Sequence, residues 1–547
     1  MKLKHLTGLS LLAPSVAFAA DRPNIVFFII DDMGWVDSSV AYGEQVYPNN
    51  LRYHTPNMQR LASQSVMLTS AYACPVSTPT RTSLITGVNA AHSHITNWTS
   101  ALRDMPSDAA GGAVASVTGV ADDTNSSFLR PEWNINGVSP EQGVSGTFYA
   151  KPLPQLLREA GYYTIHVGKA HWGSAGTPAA NPYNMGYVVN VTGNVAGMPR
   201  SYLSEDNYGN KPDKWTYMAV QNMAEYYGTG VHLTEALTRE ALKTLDYPLQ
   251  HGEPFYLYFA HYATHTPIQR DARFIQRYLD AGLDEGQARY ASMVEGVDKS
   301  LGDLMDYLEA KGVADNTIII FMTDNGGNAE NVAKGGVRFM HNLPLRNGKG
   351  SVYEGGIRVP LMIKWQGKVA PDTRVNTPVI CEDLFPTILQ MAGIKRYDVP
   401  QSVDGKSLVN LVTKGSKLAV KAAKNGEITD QKSANAFVVP QSVSGIDPER
   451  ALVFHYPHQW KGYELEDIDF LSAVRKGDWK LVYRMRTGAL ELYNLKSDIG
   501  EQHNVADKHP DVVRTLAVEL SDKLRGWNSP MPRLRSTGES VPMPDKL

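Results

Sequence analysis

Cysteine is nearly absent from this sequence. Cys74 and Cys381 are the only two in 547 residues, which allows one disulfide at most and excludes both a disulfide-stapled scaffold and a cysteine-based zinc cluster. An excess of one charge is missing too: 53 Lys and Arg stand against 56 Asp and Glu, a formal net of −3. That balance argues against a nucleic-acid binder, which usually carries a basic excess or stripe. After the N-terminus no stretch approaches the ~20 apolar residues of a membrane-spanning helix, so no membrane insertion is expected. Internal repeats and long low-complexity tracts are lacking as well. What is present is a chain with 42% hydrophobic and 20% charged residues, enough to bury a large core. At roughly 150 residues per domain, two to four units are allowed.

The first residues read as an export signal rather than as part of the fold. Lys2 and Lys4 give a positive start, Leu9 to Val16 an apolar stretch, and Ala17-Phe18-Ala19 a small-x-small cleavage site. Residues 1–19 are therefore expected to be removed near Ala19. Unbroken apolar runs follow at Asn24 to Ile30, Tyr162 to Val167, Phe255 to Ala260 and Thr317 to Met322. Runs without alternation belong to parallel strands covered on both faces. Between them lie helical patterns, the clearest from Arg289 to Lys311, with Tyr290, Val294, Val297, Leu301, Leu304 and Leu308 on one face. Strands alternating with helices predict an α/β doubly wound sheet with helices on both faces, over residues 20–413. Residues 414–450, rich in Lys, Ala, Ser, Gln and Asn, read as a linker or surface insertion. In 451–547, strands at Ser472 to Lys476, Trp479 to Tyr483 and Leu490 to Leu495 precede an amphipathic Val512 to Leu524. A smaller C-terminal α+β subdomain, an antiparallel sheet with one helix, fits that pattern.

In open α/β sheets, ligands bind beyond the carboxyl ends of the strands. Four such ends carry polar clusters: Asp31-Asp32, Gly168-Lys169-Ala170-His171, His265-Thr266-Pro267 and Asp324-Asn325. Adjacent carboxylates repel unless a cation sits between them. Asp31, Asp32, Asp324 and Asn325 offer only oxygen ligands, which suits Ca²⁺ or Mg²⁺ rather than zinc.

The most specific pattern runs from Cys74 to Gly87. Counted from Ser77, Pro79 lies two residues on, Arg81 four, Thr86 nine and Gly87 ten. This resembles the signature of the type I, formylglycine-dependent sulfatases, in which a Cys or Ser precedes Pro and Arg at those positions and a later Thr-Gly pair. Further landmarks resemble the family in order: Asp31-Asp32-Met33-Gly34, Gly161-Tyr162 through Gly168-Lys169-Ala170-His171-Trp172-Gly173, His265-x-Pro267, Asp324-Asn325-Gly326, Leu345 to Lys349 with Glu354 to Pro360, and Leu492-Tyr493-Asn494-Leu495. Thr80, Ala170 and Asn347 depart from the usual residues, and none of these changes removes a group with chemistry. Cys74 is a nucleophile by residue type, but Pro75 and Arg81 lie at the wrong spacing from it.

The resemblance implies an alkaline-phosphatase-like fold and hydrolysis of sulfate monoesters. It implies that Ser77 is oxidised to formylglycine, whose hydrate attacks sulfur, and that Asp31, Asp32, Asp324 and Asn325, with the modified Ser77, hold Ca²⁺ ahead of Mg²⁺. Arg81 is expected to steady the nucleophile, and Lys169 and Lys349 to neutralise sulfate oxygens. His171 is expected to bond the second hydroxyl, and His265 to protonate the leaving oxygen. Ser-type members are matured by a radical iron–sulfur enzyme of anaerobic bacteria, so a bacterial periplasmic or secreted protein is expected, acting on a sulfated carbohydrate in exo fashion. A phosphatase or phosphonate monoester hydrolase of the same superfold, and a non-catalytic glycan-binding relative, stay open alternatives. Trp133, Trp172, Trp215, Arg346, His455, His458 and Trp460 are candidates for the substrate rim.

Overall fold

The computed structural model describes residues 22–107, 127–211, 216–328, 332–337, 340–460 and 467–547; the export-signal reading of residues 1–19 and the rim candidate Trp215 lie outside them. The central sheet contains β1 Asn24–Ile30, β2 Val66–Leu68, β3 Tyr163–Gly168, β4 Val189–Val191, β5 Phe255–Ala260, β6 Thr317–Thr323, β7 Leu361–Lys364 and β8 Thr373–Val375. Their spatial order is β8-β2-β7-β6-β1-β5-β3-β4. β1 pairs in parallel with both β6 and β5, and the parallel run continues through β3 to β4. β7 alone is reversed, antiparallel to β6 and to β2, so the sheet is mixed rather than uniformly parallel.

Alternation along β1 shows how both faces are covered. Ile25, Phe27 and Ile29 enter one core, with the helices Ser77–Thr86, Leu153–Glu159 and Leu384–Met391. Val26, Phe28 and Ile30 enter the other, with Leu233–His251 and Glu285–Ala310. A strand apolar at every position is what two buried faces require. The long helix Glu285–Ala310 is held at its start by Asp284, whose side chain accepts from the Gln287 N–H, and buries Tyr290, Val294, Val297, Leu301, Leu304 and Leu308.

The C-terminal part contains an antiparallel sheet of Leu452–Tyr456, Leu471–Lys476, Trp479–Arg484 and Ala489–Asn494. One face packs on the helix Pro510–Gly526 through Leu516, Leu520 and Leu524. The other, through Phe454, Ala473, Val482 and Tyr493, joins the first core of the central sheet. Residues 414–450, read above as linker or surface insertion, contain helices that pack on the body. The helix Ser416–Lys424 buries Ala419 and Ala422, and Val439 and Ile446 enter the first core. Lys and Ala there form an amphipathic helix whose buried face is small-residue, so its apolar signal in the sequence is weak.

Candidate active site

Four polar clusters converge because four strands end side by side. β1 delivers Asp31 and Asp32, β6 delivers Asp324 and Asn325, β3 delivers Lys169, and the chain after β5 carries His265. Ser77 opens the helix Ser77–Thr86, all ten residues of which are buried. Its Oγ lies 3.2 Å from Asp31 Oδ1 and 3.3 Å from Asn325 Oδ1, and accepts from Lys169 Nζ at 3.1 Å. Lys169 Nζ also donates to Asp31 Oδ2 at 2.6 Å, and Lys349 Nζ to Asp32 Oδ1 at 2.6 Å. Arg81, one turn after Ser77, reaches Asp324 Oδ2 at 2.9 and 2.8 Å and the Lys169 carbonyl at 3.1 Å. Asn325 Nδ2 donates to Asp32 Oδ1 at 2.8 Å. The expected nucleophile, metal and cationic residues thus occupy one cluster.

Its charges are balanced pairwise but unevenly. Asp31, Asp32 and Asp324 face Arg81, Lys169 and Lys349. Burial and the neighbouring Asp324 raise the Asp31 carboxyl to about 7 in spite of Lys169. Against the same burial, Lys349, His265 and Lys334 hold Asp32 far below the carboxylate range, and Arg81 and Lys169 lower Asp324. Single ligand atoms of Asp31, Asp32 and His265 lie within 4.8 Å of one another.

The two histidines differ. His265 is half-buried, with Nε2 3.7 Å from Asp32 Oδ2 and Nδ1 on Thr266. Burial and the Lys349 cation push it down to about 3. His171 is buried between Thr78 Oγ1, 3.3 Å from Nδ1, and the Thr99 carbonyl, 3.0 Å from Nε2. Gly197 packs on that ring so closely that a Cβ would sit 2.5 Å from it. His171 therefore touches the residue after Ser77 through Thr78.

A cavity of about 230 Å³ opens over Ser77, Lys169, His171, His265 and Lys349. Trp98, Val195, Met198, Met218 and Trp460 line it as well. Of the rim candidates, Trp460 is there. Trp172 is fully buried, stacked on Tyr187. Arg346 lies over the Tyr353 ring and donates to Tyr493, His455 bridges Ser472 and the Pro530 carbonyl, and His458 bonds Thr96 and meets Trp133 edge-on. These five bind the fold together instead of facing the cavity. Trp98, Thr99, Met198 and Met218 were missed, since the segments between landmarks carry no spacing that marks them.

A protein-family model described as Sulfatase matches residues 23–394. The chain belongs to the sulfatase family. A second model, N-sulphoglucosamine sulphohydrolase, C-terminal, matches residues 347–469 of this sulfatase. It is 28% identical to a sulfatase of Formosa agariphila, over 96% of this chain and 93% of that protein. It is 29% identical to the N-acetylgalactosamine-6-sulfatase of Mus musculus, over 76% of this chain and 70% of that one. Among solved structures, Ps i-CgsB aligns at 25% identity and a TM-score of 0.64, covering 92% of this chain and 93% of its own; it has also been crystallised with k-i-k-neocarrahexaose. The alkaline-phosphatase-like α/β fold and the reaction class, hydrolysis of sulfuric esters, follow from this membership. Among the described residues no helix is long and apolar enough to cross a membrane.

Proposed function

We propose that this sulfatase removes sulfate from a terminal sugar of a sulfated glycan, using a formylglycine made from Ser77 and a bound calcium ion. The observation that carries this reading is the approach of Ser77 Oγ to Lys169, Asp31 and Asn325 at 3.1, 3.2 and 3.3 Å, on the floor of a cavity.

The donor set fits a hard divalent cation. Asp31, Asp32, Asp324 and the Asn325 carbonyl are all oxygen ligands, and they gather around the Ser77 hydroxyl. These four residues, with the oxygen at position 77, would hold the ion. When bound, it supplies Lewis-acid polarisation and a template for nucleophile and sulfate. Formylglycine supplies a hydrated aldehyde in place of a hydroxyl that is a poor nucleophile at its own pKa.

The chain's own side chains do the rest. Lys169 and Lys349 set two ammonium groups where the sulfate oxygens gather. Arg81 compensates Asp324 and fixes the first turn of the signature helix. His265 faces the cavity and is the proton donor to the leaving oxygen. Burial and neighbouring cations hold it neutral, and an entering sulfate ester brings the negative charge that favours its protonated form. His171, braced by Thr78 and Thr99, assists expulsion of sulfate from position 77.

The cavity supports the substrate class. Apart from the sulfate-facing groups its wall includes Trp98, Met198, Met218 and Trp460, which suits the C–H faces of one sugar ring. N-acetylgalactosamine-6-sulfatase and Ps i-CgsB, the latter crystallised with an oligosaccharide, are consistent with a carbohydrate. Residues 1–19 serve as a cleaved export signal, 20–413 as the catalytic part and 451–547 as the C-terminal subdomain. The protein acts in the periplasm or outside the cell, and a radical iron–sulfur enzyme matures it.

The test is the mass of the tryptic peptide Leu61–Arg81 from protein made in its native host, combined with turnover on a panel of sulfated sugars. Loss of two hydrogens at Ser77, together with desulfation, is expected. An unshifted mass in active protein overturns the formylglycine; cleavage of phosphate esters but not of sulfate esters overturns the substrate class.

A further inference from the structure

The two cysteines lie 307 positions apart and meet in the fold, with Sγ atoms 4.0 Å apart. Their meeting is set by strand pairing. The short strand Val379–Ile380 runs parallel to Ala71–Tyr72, with Ile380 opposite Tyr72. Cys381 follows Ile380 directly and Cys74 comes two residues after Tyr72. Paired strands are about 4.8 Å apart, within reach of the ~4.4–6.8 Å that separates the Cα atoms of a disulfide. Both side chains are buried. Glu382 stands beside them, its Oε2 3.4 Å from Cys381 Sγ.

Cys74 also begins the turn that presents Ser77. Its N–H donates to Thr80 Oγ1 at 2.9 Å, and the next residue's carbonyl, on Pro75, accepts from the Gly350 N–H at 2.8 Å. The turn is thus tied to its own helix and to the Lys349 loop. Nothing covalent holds it to the layer beneath.

We propose that Cys74 and Cys381 form a disulfide that fastens the turn bearing Ser77 to the turn Cys381–Asp383. Two S–H bonds break and one S–S bond forms; two protons leave, and two electrons reduce the disulfide of an external oxidant of the glutathione-disulfide class to two thiols. The sulfurs close by about 2 Å in doing so. Burial, Cys74 and Glu382 hold the Cys381 thiol well above its ordinary range. Both sulfurs are buried out of reach of a bulky oxidant in the folded chain, so the bond forms while the chain folds.

The full-length protein is refolded in a mixture of reduced and oxidised glutathione, alkylated during unfolding and digested without reductant. The expected product joins Leu61–Arg81 to Val375–Lys395 in one species, lighter by two hydrogens than the free peptides and separated by dithiothreitol. Formylglycine at position 77 survives that reduction, so the two modifications are read independently. Reduction is expected to lower the melting temperature by a few degrees, and to leave the melting temperatures of Cys74→Ser and Cys381→Ala unchanged. Recovery of both peptides singly, alkylated or bearing glutathione, overturns the proposal. So does an equal melting temperature for the linked and the reduced protein.

Discussion

Two buried charge clusters among the described residues each border a cavity, through Arg358 and Arg475 at one and through Ser77, Lys169 and Lys349 at the other, and they differ in what stands beside the charges. At the seam between the central body and the C-terminal sheet, Glu354 accepts from Lys480 at 2.9 Å, Tyr72 at 2.8 Å and Arg358 at 3.1 Å. Lys480 also reaches Glu501 at 2.8 Å, and Glu501 Oε2 accepts from the Glu354 N–H at 2.6 Å. In the active site the carboxylates of Asp31, Asp32 and Asp324 are matched by Lys169, Lys349 and Arg81. Each cluster contains a carboxyl lifted to about 7, Glu501 at the seam and Asp31 in the site. Burial is the first cause in both. The difference lies in how the strain is relieved. The seam can settle the surplus carboxyl with a proton, whereas the site also turns a nucleophile and two lysines toward its cavity. Buried ion pairs alone do not mark a catalytic centre; ion pairs beside a cavity with an adjacent nucleophile do.

The largest expected effect separates the clusters by chemistry. Ser77→Ala lowers kcat/KM by about 10⁴-fold or more and leaves urea unfolding nearly unchanged, read by turnover and circular dichroism on the same sample. Glu354→Ala should do the reverse, costing about 3–5 kcal/mol by stranding Lys480 and Arg358, measured as a lower urea midpoint. Lys349→Ala is expected to cut kcat about 10²–10³-fold, with little loss of stability; a large stability loss would make Lys349 a structural residue like Lys480. The fourth difference is in pH. Glu501 has a folded value lifted from 4.5 to about 7, so its contribution is most favourable below about pH 4.5 and is lost as pH rises through 7. Glu501→Gln should flatten that part of the stability curve, followed by denaturant titrations at successive pH values. The smallest effect falls on the cavity wall: Trp98→Ala should raise KM about tenfold with kcat little altered.

The legible parts were those with dense local signals. β1, β5 and β6 could be read because every position is apolar, and Ser77, Lys169, His265 and Asp324 because each stands at a strand end or helix start in a fixed spacing. β2 and β8, three residues each, carry no such signal; they are strands only because neighbours complete their hydrogen bonds. The helix Ser416–Lys424 hides its buried face in alanine. Trp98 and Met218 reach the cavity through loops whose course is decided by tertiary packing, and Trp172 looked like a rim residue only because it adjoins His171 in sequence.

Ser77 is 2% exposed, at the head of a helix buried along its whole length. Another enzyme cannot grip such a residue in the finished protein, so any modification of it has to win a race against folding. The course of the chain sets the length of that race. The central pairing of β1 joins Asn24 to Thr317, and contacts between such distant partners assemble slowly. If Ser77 is converted as proposed, a stabilising change that hastens closure of this sheet would yield a sturdier protein with fewer working copies.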